Sequence, residues 1–271
     1  MKQEVASFLD YVAHSPTVFQ ATQQACDMLD AAGFTRLSEH EAWEILPGGR
    51  YYVTRNRSAL VAFAVPENGF THCQIVASHG DSPTFKLKAH AEGEAAGAYI
   101  RLDVEPYGGM IMSTWFDRPL SIAGRALVRE DGRLVTRLID LDRDAALIPN
   151  MPIHFNRDIN NGYSYNPQVD MLPLFGDKDA KGALGAEIAA KAGVPGQHFA
   201  NRSDIPGGST LGNLSNAHVS MNTVDIGLAQ LAMHASYETA GCADVDYMIR
   251  ALRQFYKTDI ITSADGEYQL V

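Results

Sequence analysis

The sequence predicts an α/β protein whose scaffold is interrupted by a second, β-rich domain. Three observations carry that expectation. Helical periodicity marks both ends of the chain, an apolar run of strand length occupies residues 72–78, and short apolar runs separated by turns fill the stretch from about 85 to 174. The 271 residues are 46% hydrophobic and 20% charged, which supplies a core and excludes disorder over most of the chain.

Val5, Phe8, Leu9 and Val12 recur at helical spacing and predict an amphipathic helix over 3–13. Ser15-Pro16-Thr17 breaks it and offers a cap for a second helix, which carries Phe19, Ala21, Ala25, Met28 and Leu29 and ends at Gly33. Residues 50–54 and 58–65 flank Asn56-Arg57 and read as a hairpin. The run HCQIVAS at 72–78 reads as a buried strand. It delivers His79-Gly80-Asp81-Ser82-Pro83 at its carboxyl end, where open α/β sheets hold ligands.

The runs YIRLDVEPY, MIMSTWF, SIAGRALVRE and RLVTRLIDL, separated by Gly and Asp, form the expected β-rich insert. Residues 180–193 return to Ala-rich helix before Gly193-Val194-Pro195, and 198–234 read as short strands and loops. A last helix is predicted over 244–256, with Val245, Met248, Ile249, Leu252 and Phe255 on one face.

Charge and cysteine usage exclude several classes. Lys plus Arg number 22 against 32 acids, a net charge of −10 with no basic stripe, so nucleic acid is not an expected partner. Cys26, Cys73 and Cys242 are far apart and form no CxxC, which favours a reducing compartment over a disulfide framework. Glu4 and Asp10 fall where a signal peptide is apolar, and no run approaches the ~20 apolar residues of a membrane helix. A soluble cytoplasmic protein without membrane partners is the expectation.

Four constellations could carry chemistry. His79 and Asp81 form an HxD, in which a carboxylate two residues on can fix the tautomer of a metal-bound imidazole; the alternative is a polar turn. Gly207-Gly208-Ser209-Thr210, following Arg202-Ser203-Asp204, exposes backbone N–H groups suited to an anion, or is simply a turn. His234 ends an apolar stretch and is either a ligand or a capping histidine. Asp140-x-Asp142-x-Asp144 has Ala145 and Met151 where a calcium loop needs Gly and Glu, so it reads as a solvated turn. His154 lies on an expected strand and is ambiguous by itself. A Ser-His-Asp hydrolase lacks its GxSxG.

Taken together, FLDYVAHSPTVFQA, ASHGDSPTFKLK at 77–88, VEPYGGMIMSTWFDRPLSIAGRALV at 104–128, IPNMPIHFNRDIN at 148–160 and the stretch 199–241 resemble the aspartyl aminopeptidase family, metallopeptidase family eighteen. The resemblance implies a three-layer α/β sandwich like other zinc exopeptidases, formed here by 1–88 and 175–271, interrupted by a β-rich dimerisation and lid domain at 89–174. It implies removal of N-terminal Asp or Glu from peptide substrates with two Zn²⁺ ions, and a homo-oligomer of dimers building a dodecamer. His79 looks like a ligand of one metal, Asp81 like the catalytic carboxylate that orients it, and His234 like a ligand of the other. His154 looks like the histidine that reaches a neighbouring subunit's active site. Arg202, Ser203, Asp204, Gly207, Gly208, Ser209 and Thr210 look like substrate-pocket walls.

The sequence also departs from the family. After MLPLFG at 171–176 the family carries a central segment with the metal-bridging Asp, a Glu-Glu pair and a further Asp ligand. No Glu-Glu pair occurs in this chain, and the seam of the missing segment falls between 177 and 198. A catalytic zinc takes three protein ligands, and two-metal hydrolysis joins ions ~3.5–4 Å apart through shared ligands. The expectation is therefore weak metal binding and impaired peptidase activity. The alternative is a non-catalytic relative acting in oligomerisation or interaction.

Overall fold

The computed structural model describes residues 2–95, 99–150, 152–155, 157, 160, 223–264 and 267–270. Helix and strand are both present, as an α/β chain requires, and the chain divides into two units. One comprises Met1–Ile148 with Gln230–Thr239, the other Pro149–Ala229 with Ala240–Val271.

The first unit opens with α1 (Gln3–Ala13), which turns Val5 inward. Thr17 caps α2 (Val18–Ala31) by accepting from the N–H of Phe19 at 3.2 Å, and Gly33 follows the helix in the left-handed region at φ 77°. Three short strands come next, β1 (Thr35–Leu37), β2 (Arg50–Arg55) and β3 (Ala59–Ala64). β1 runs parallel to β2, and β2 pairs antiparallel with β3 in a register that sets Tyr52 opposite Ala62. Asn56 and Arg57 both take positive φ, which lets the hairpin close.

The buried apolar residues of this unit are Val5, Cys26, Tyr51 and Tyr52. Tyr52 is fully buried, and its hydroxyl donates to Asp30 Oδ1 at 2.7 Å. Burial, reinforced by that carboxylate, pushes its phenol up to about 12.

The strands from 84 onward are hairpins. β4 (Thr84–Ala95) and β5 (Tyr99–Tyr107) are antiparallel, with Thr84 opposite Tyr107 and a bulge between Leu87 and Glu92. β6 (Pro119–Leu120) pairs with β9 (Ala146–Leu147). β7 (Ala123–Glu130) pairs with β8 (Arg133–Asp140) across Asp131-Gly132, both at positive φ, the turn that an Asp-Gly pair favours. The hairpin is tied to α2. Arg125 stacks its guanidinium 4.3 Å from the centre of the Phe19 ring, and Gln20 hydrogen-bonds main-chain carbonyls of both strands. Asp142 donates its N–H to Asp140 Oδ1, an Asx-type contact within the stretch expected as a solvated turn.

Two expectations are corrected. Residues 72–78 form no strand: a parallel strand needs neighbours to satisfy its backbone, and here Ile75 and Val76 are 65% and 43% exposed. The run MIMSTWF supplies a 3₁₀ turn, Met112–Trp115, in place of a strand. The helix expected at 180–193 and the loops up to 222 lie outside the described residues.

In the second unit, α3 (Cys242–Phe255) matches the predicted last helix to within two residues and buries Val245. A terminal hairpin follows, β12 (Ile260–Ala264) with β13 (Glu267–Leu270). Among the described residues no helix is long and apolar enough to cross a membrane.

Candidate functional site

The segment His79–Pro83 enters β4 directly, so the β4–β5 ladder fixes its surroundings. Because Thr84 pairs with Tyr107, the end of β5 lies alongside the HGDSP segment. The Tyr107 hydroxyl donates to Asp81 Oδ2. Gly108 follows at φ 75°, and a Cβ there would stand 3.4 Å from Pro83 Cα. On the other side, a Cβ on Gly80 would meet Val18 at the start of α2, 3.7 Å away.

His79 turns Nδ1 toward Asp81, 2.9 Å from its main-chain oxygen and 3.3 Å from Oδ1. Two acceptors facing one nitrogen favour Nδ1 as the donor of the ring. The hydrogen bond from Tyr107, with smaller help from backbone and His79, holds the Asp81 carboxyl below the usual carboxylate range. The same bond raises the Tyr107 phenol.

His234 lies in the loop between the two-residue strands β10 (Gln230–Leu231) and β11 (Thr239–Ala240). Its backbone is left-handed at φ 69°, uncommon outside glycine and asparagine. Both of its main-chain polar groups are held. The N–H donates to Glu238 Oε1 at 2.7 Å, and the carbonyl accepts from Ile111 N–H at 3.0 Å. Two residues on, Ser236 donates its N–H to Thr114 Oγ1 and its hydroxyl to the Thr114 carbonyl, while Arg118 donates to Ser236 Oγ at 2.7 Å.

One stretch of chain, 107–118, therefore touches both histidine loops, at Tyr107 on one side and at Ile111, Thr114 and Arg118 on the other. Reading the sequence missed these residues and Glu238. The stretch VEPYGGMIMSTWFDRPL stood out as a motif, yet Tyr107 is 26 positions from Asp81 and Arg118 is 118 from Ser236, separations that no local spacing rule covers.

The other candidates fall elsewhere. His154 belongs to the second unit and is exposed in a turn closed by Phe155 N–H on the Pro152 carbonyl at 2.9 Å, which corrects the expected strand. Arg202, Ser203, Asp204, Gly207, Gly208, Ser209 and Thr210 lie outside the described residues. A zinc site takes at least three protein donors. Among the described residues no three His, Cys, Asp or Glu side chains come together in that way. His79, Asp81 and His234 alone do not fit a zinc centre.

Comparison with known proteins shows the ancestry. The family described as aminopeptidase I zinc metalloprotease (M18) matches residues 11–184 and 177–256. A probable M18 family aminopeptidase 2 of Clostridium acetobutylicum is 43% identical over 186 residues, covering 65% of this chain and 42% of that protein. The chain of a cryo-EM structure of the Ape4 and Nbr1 complex is similar at a TM-score of 0.56 and 34% identity, over 70% of this chain and 39% of that one. Chaetomium thermophilum mApe1 is similar at 0.52 and 34%, over 56% and 36%. The chain spans less than half the length of the curated relatives it matches.

Proposed function

The chain belongs to the aminopeptidase I zinc metalloprotease family (M18), and from that premise we propose that it is an aminopeptidase of the acidic-residue type whose peptidase activity is impaired by an internal deletion. The observation that carries this reading is the form of the family match. It runs in two stretches, 11–184 and 177–256, that meet at 177–184, inside the segment where the sequence passes abruptly from MLPLFG toward FANRSD.

The chain's own residues supply part of a site. Asp81 fixes the tautomer of His79, and the contacts from Ile111 and Glu238 hold the His234 loop. With no Glu-Glu pair in the chain, the general base that the resemblance implies is missing, a contribution typically of ~10²–10⁴-fold. In this reading 1–88 and 175–271 are the scaffold and 89–174 the dimerisation and lid domain. His154 and the 202–210 segment serve peptide substrates in a cytoplasmic homo-oligomer, with dimers building a dodecamer. The exposure of Val61 and Ile75, 61% and 65%, fits the loss of strands that would cover them.

The test is turnover by the purified full chain on Asp- and Glu-linked chromogenic substrates with added zinc. The expected result is no hydrolysis above background. Turnover abolished by a chelator and by His79→Ala would overturn the impairment.

A second reading, an oligomerisation protein without catalysis, is favoured by the β7–β8 hairpin. Leu127 and Leu134 share one face of it and are 65% and 66% exposed. Light scattering showing a stable oligomer in the absence of metal supports that reading.

A further inference from the structure

We propose that Tyr107 is a positioning residue for His79, acting through Asp81 to set which imidazole nitrogen is left free. The proposal gains its functional meaning from the reading of His79 given above, but the geometry stands by itself. Asp81 uses both carboxylate oxygens. Oδ2 accepts from Tyr107, and Oδ1 lies 3.3 Å from His79 Nδ1, adding a side-chain acceptor to the Asp81 main-chain oxygen at 2.9 Å. A carboxylate gripped at one oxygen cannot swing the other away, so the Tyr107 hydroxyl keeps Oδ1 at the histidine.

Tyr107 is itself fixed by the antiparallel register. It pairs with Thr84, three residues after Asp81, and is followed by Gly108, which sits against Pro83. The ladder thus brings the Tyr107 backbone to the end of the strand beside the carboxylate. Asp81 and His79 are exposed at 40% and 65%, so water competes for every bond in the relay. In such a setting a second anchor decides how long the carboxylate faces the ring. The order Tyr107–Asp81–His79 favours Nδ1 as the donor, so that in the neutral ring Nε2 is the nitrogen able to accept a proton or to bind a cation.

The test reads the tautomer directly. The full chain, labelled with ¹⁵N, is studied by long-range proton–nitrogen correlation at a pH of about 8.5, where an ordinary imidazole is neutral. His79 signals are assigned by their loss in His79→Gln. The native chain is expected to show the Nδ1–H tautomer. Tyr107→Phe keeps the ring and removes only the hydroxyl, and should shift the tautomer ratio about fivefold toward Nε2–H, as loss of one modest hydrogen bond does. Asp81→Ala removes the side-chain acceptor, leaves Tyr107 and the main-chain oxygen of residue 81 in place and should shift the ratio at least as far. An unchanged ratio in Tyr107→Phe with the Thr84–Tyr107 pairing intact overturns the proposal. If Tyr107→Phe disturbs that pairing, Asp81→Ala decides, and an unchanged ratio there overturns it as well. Peptidase activity plays no part, so failure here is distinct from failure of the functional reading.

Discussion

Gln20, in the first turn of α2, donates its side-chain amide to the Ile139 carbonyl at 2.9 Å across 119 positions of sequence. The same amide reaches the Gly124 carbonyl at 3.3 Å, so one half-helix side chain joins both strands of the β7–β8 hairpin. Gln20 is 9% exposed, and its amide adds a donor to two carbonyls that face each other as a pair in the hairpin's own ladder. Gln20→Ala is expected to lower the unfolding free energy by about 0.5–1.5 kcal/mol in urea titration. An unchanged midpoint would show the helix and hairpin to be held by Arg125 and Phe19 without it.

The Tyr52 phenol gives a pH dependence. Its folded value is pushed up to about 12 from an ordinary 10.0, so the folded chain keeps the proton more tightly than the unfolded one. The stabilisation is complete below 10 and is lost as pH rises through the folded value. Melting temperature should fall steeply between these two limits. Tyr52→Phe should flatten that fall without abolishing it, because Tyr11 and Tyr107 are raised in the same direction. A slope equal to the native one would refute the assignment to Tyr52.

Gly108 combines a positive φ with a close backbone neighbour. Gly108→Ala is expected to cost roughly 1–2 kcal/mol from the left-handed backbone. Amide exchange at the β4–β5 ladder should rise with it, while the β7–β8 hairpin stays protected. Uniform loss of protection across both hairpins would contradict a local effect.

Zinc titration bears on the donor count. Ligands that bind only the folded state raise its stability with the logarithm of their concentration relative to Kd. With His79, Asp81 and His234 too few for a zinc centre, micromolar zinc should leave the melting midpoint where it stands. A chelator-reversible rise that disappears in both His79→Ala and His234→Ala would show that donors outside the described residues complete the set.

What the sequence made legible follows the range of the physics. Thr17 as a cap, Gly33 as a stop, the Asn56-Arg57 turn and the helix of Cys242–Phe255 rest on rules that act within a few residues. The HCQIVAS run obeyed the pattern of a buried strand, yet a strand is made by its neighbours, and the apolar pattern of 72–78 does not report whether they are there; among the described residues it pairs with none. The site shows the same division. The pairing of Asp81 with His79 spans two positions and was visible. The roles of Tyr107, Glu238 and Arg118 arise from strand register and loop closure, and no local pattern predicts them.

The grip of 107–118 on both histidine loops makes them a single unit of heritable variation. A change in that stretch is felt by His79 and by His234 at once, so its effects will not add to those of changes in either loop. Compensating substitutions in relatives are therefore expected in pairs, one beside each histidine.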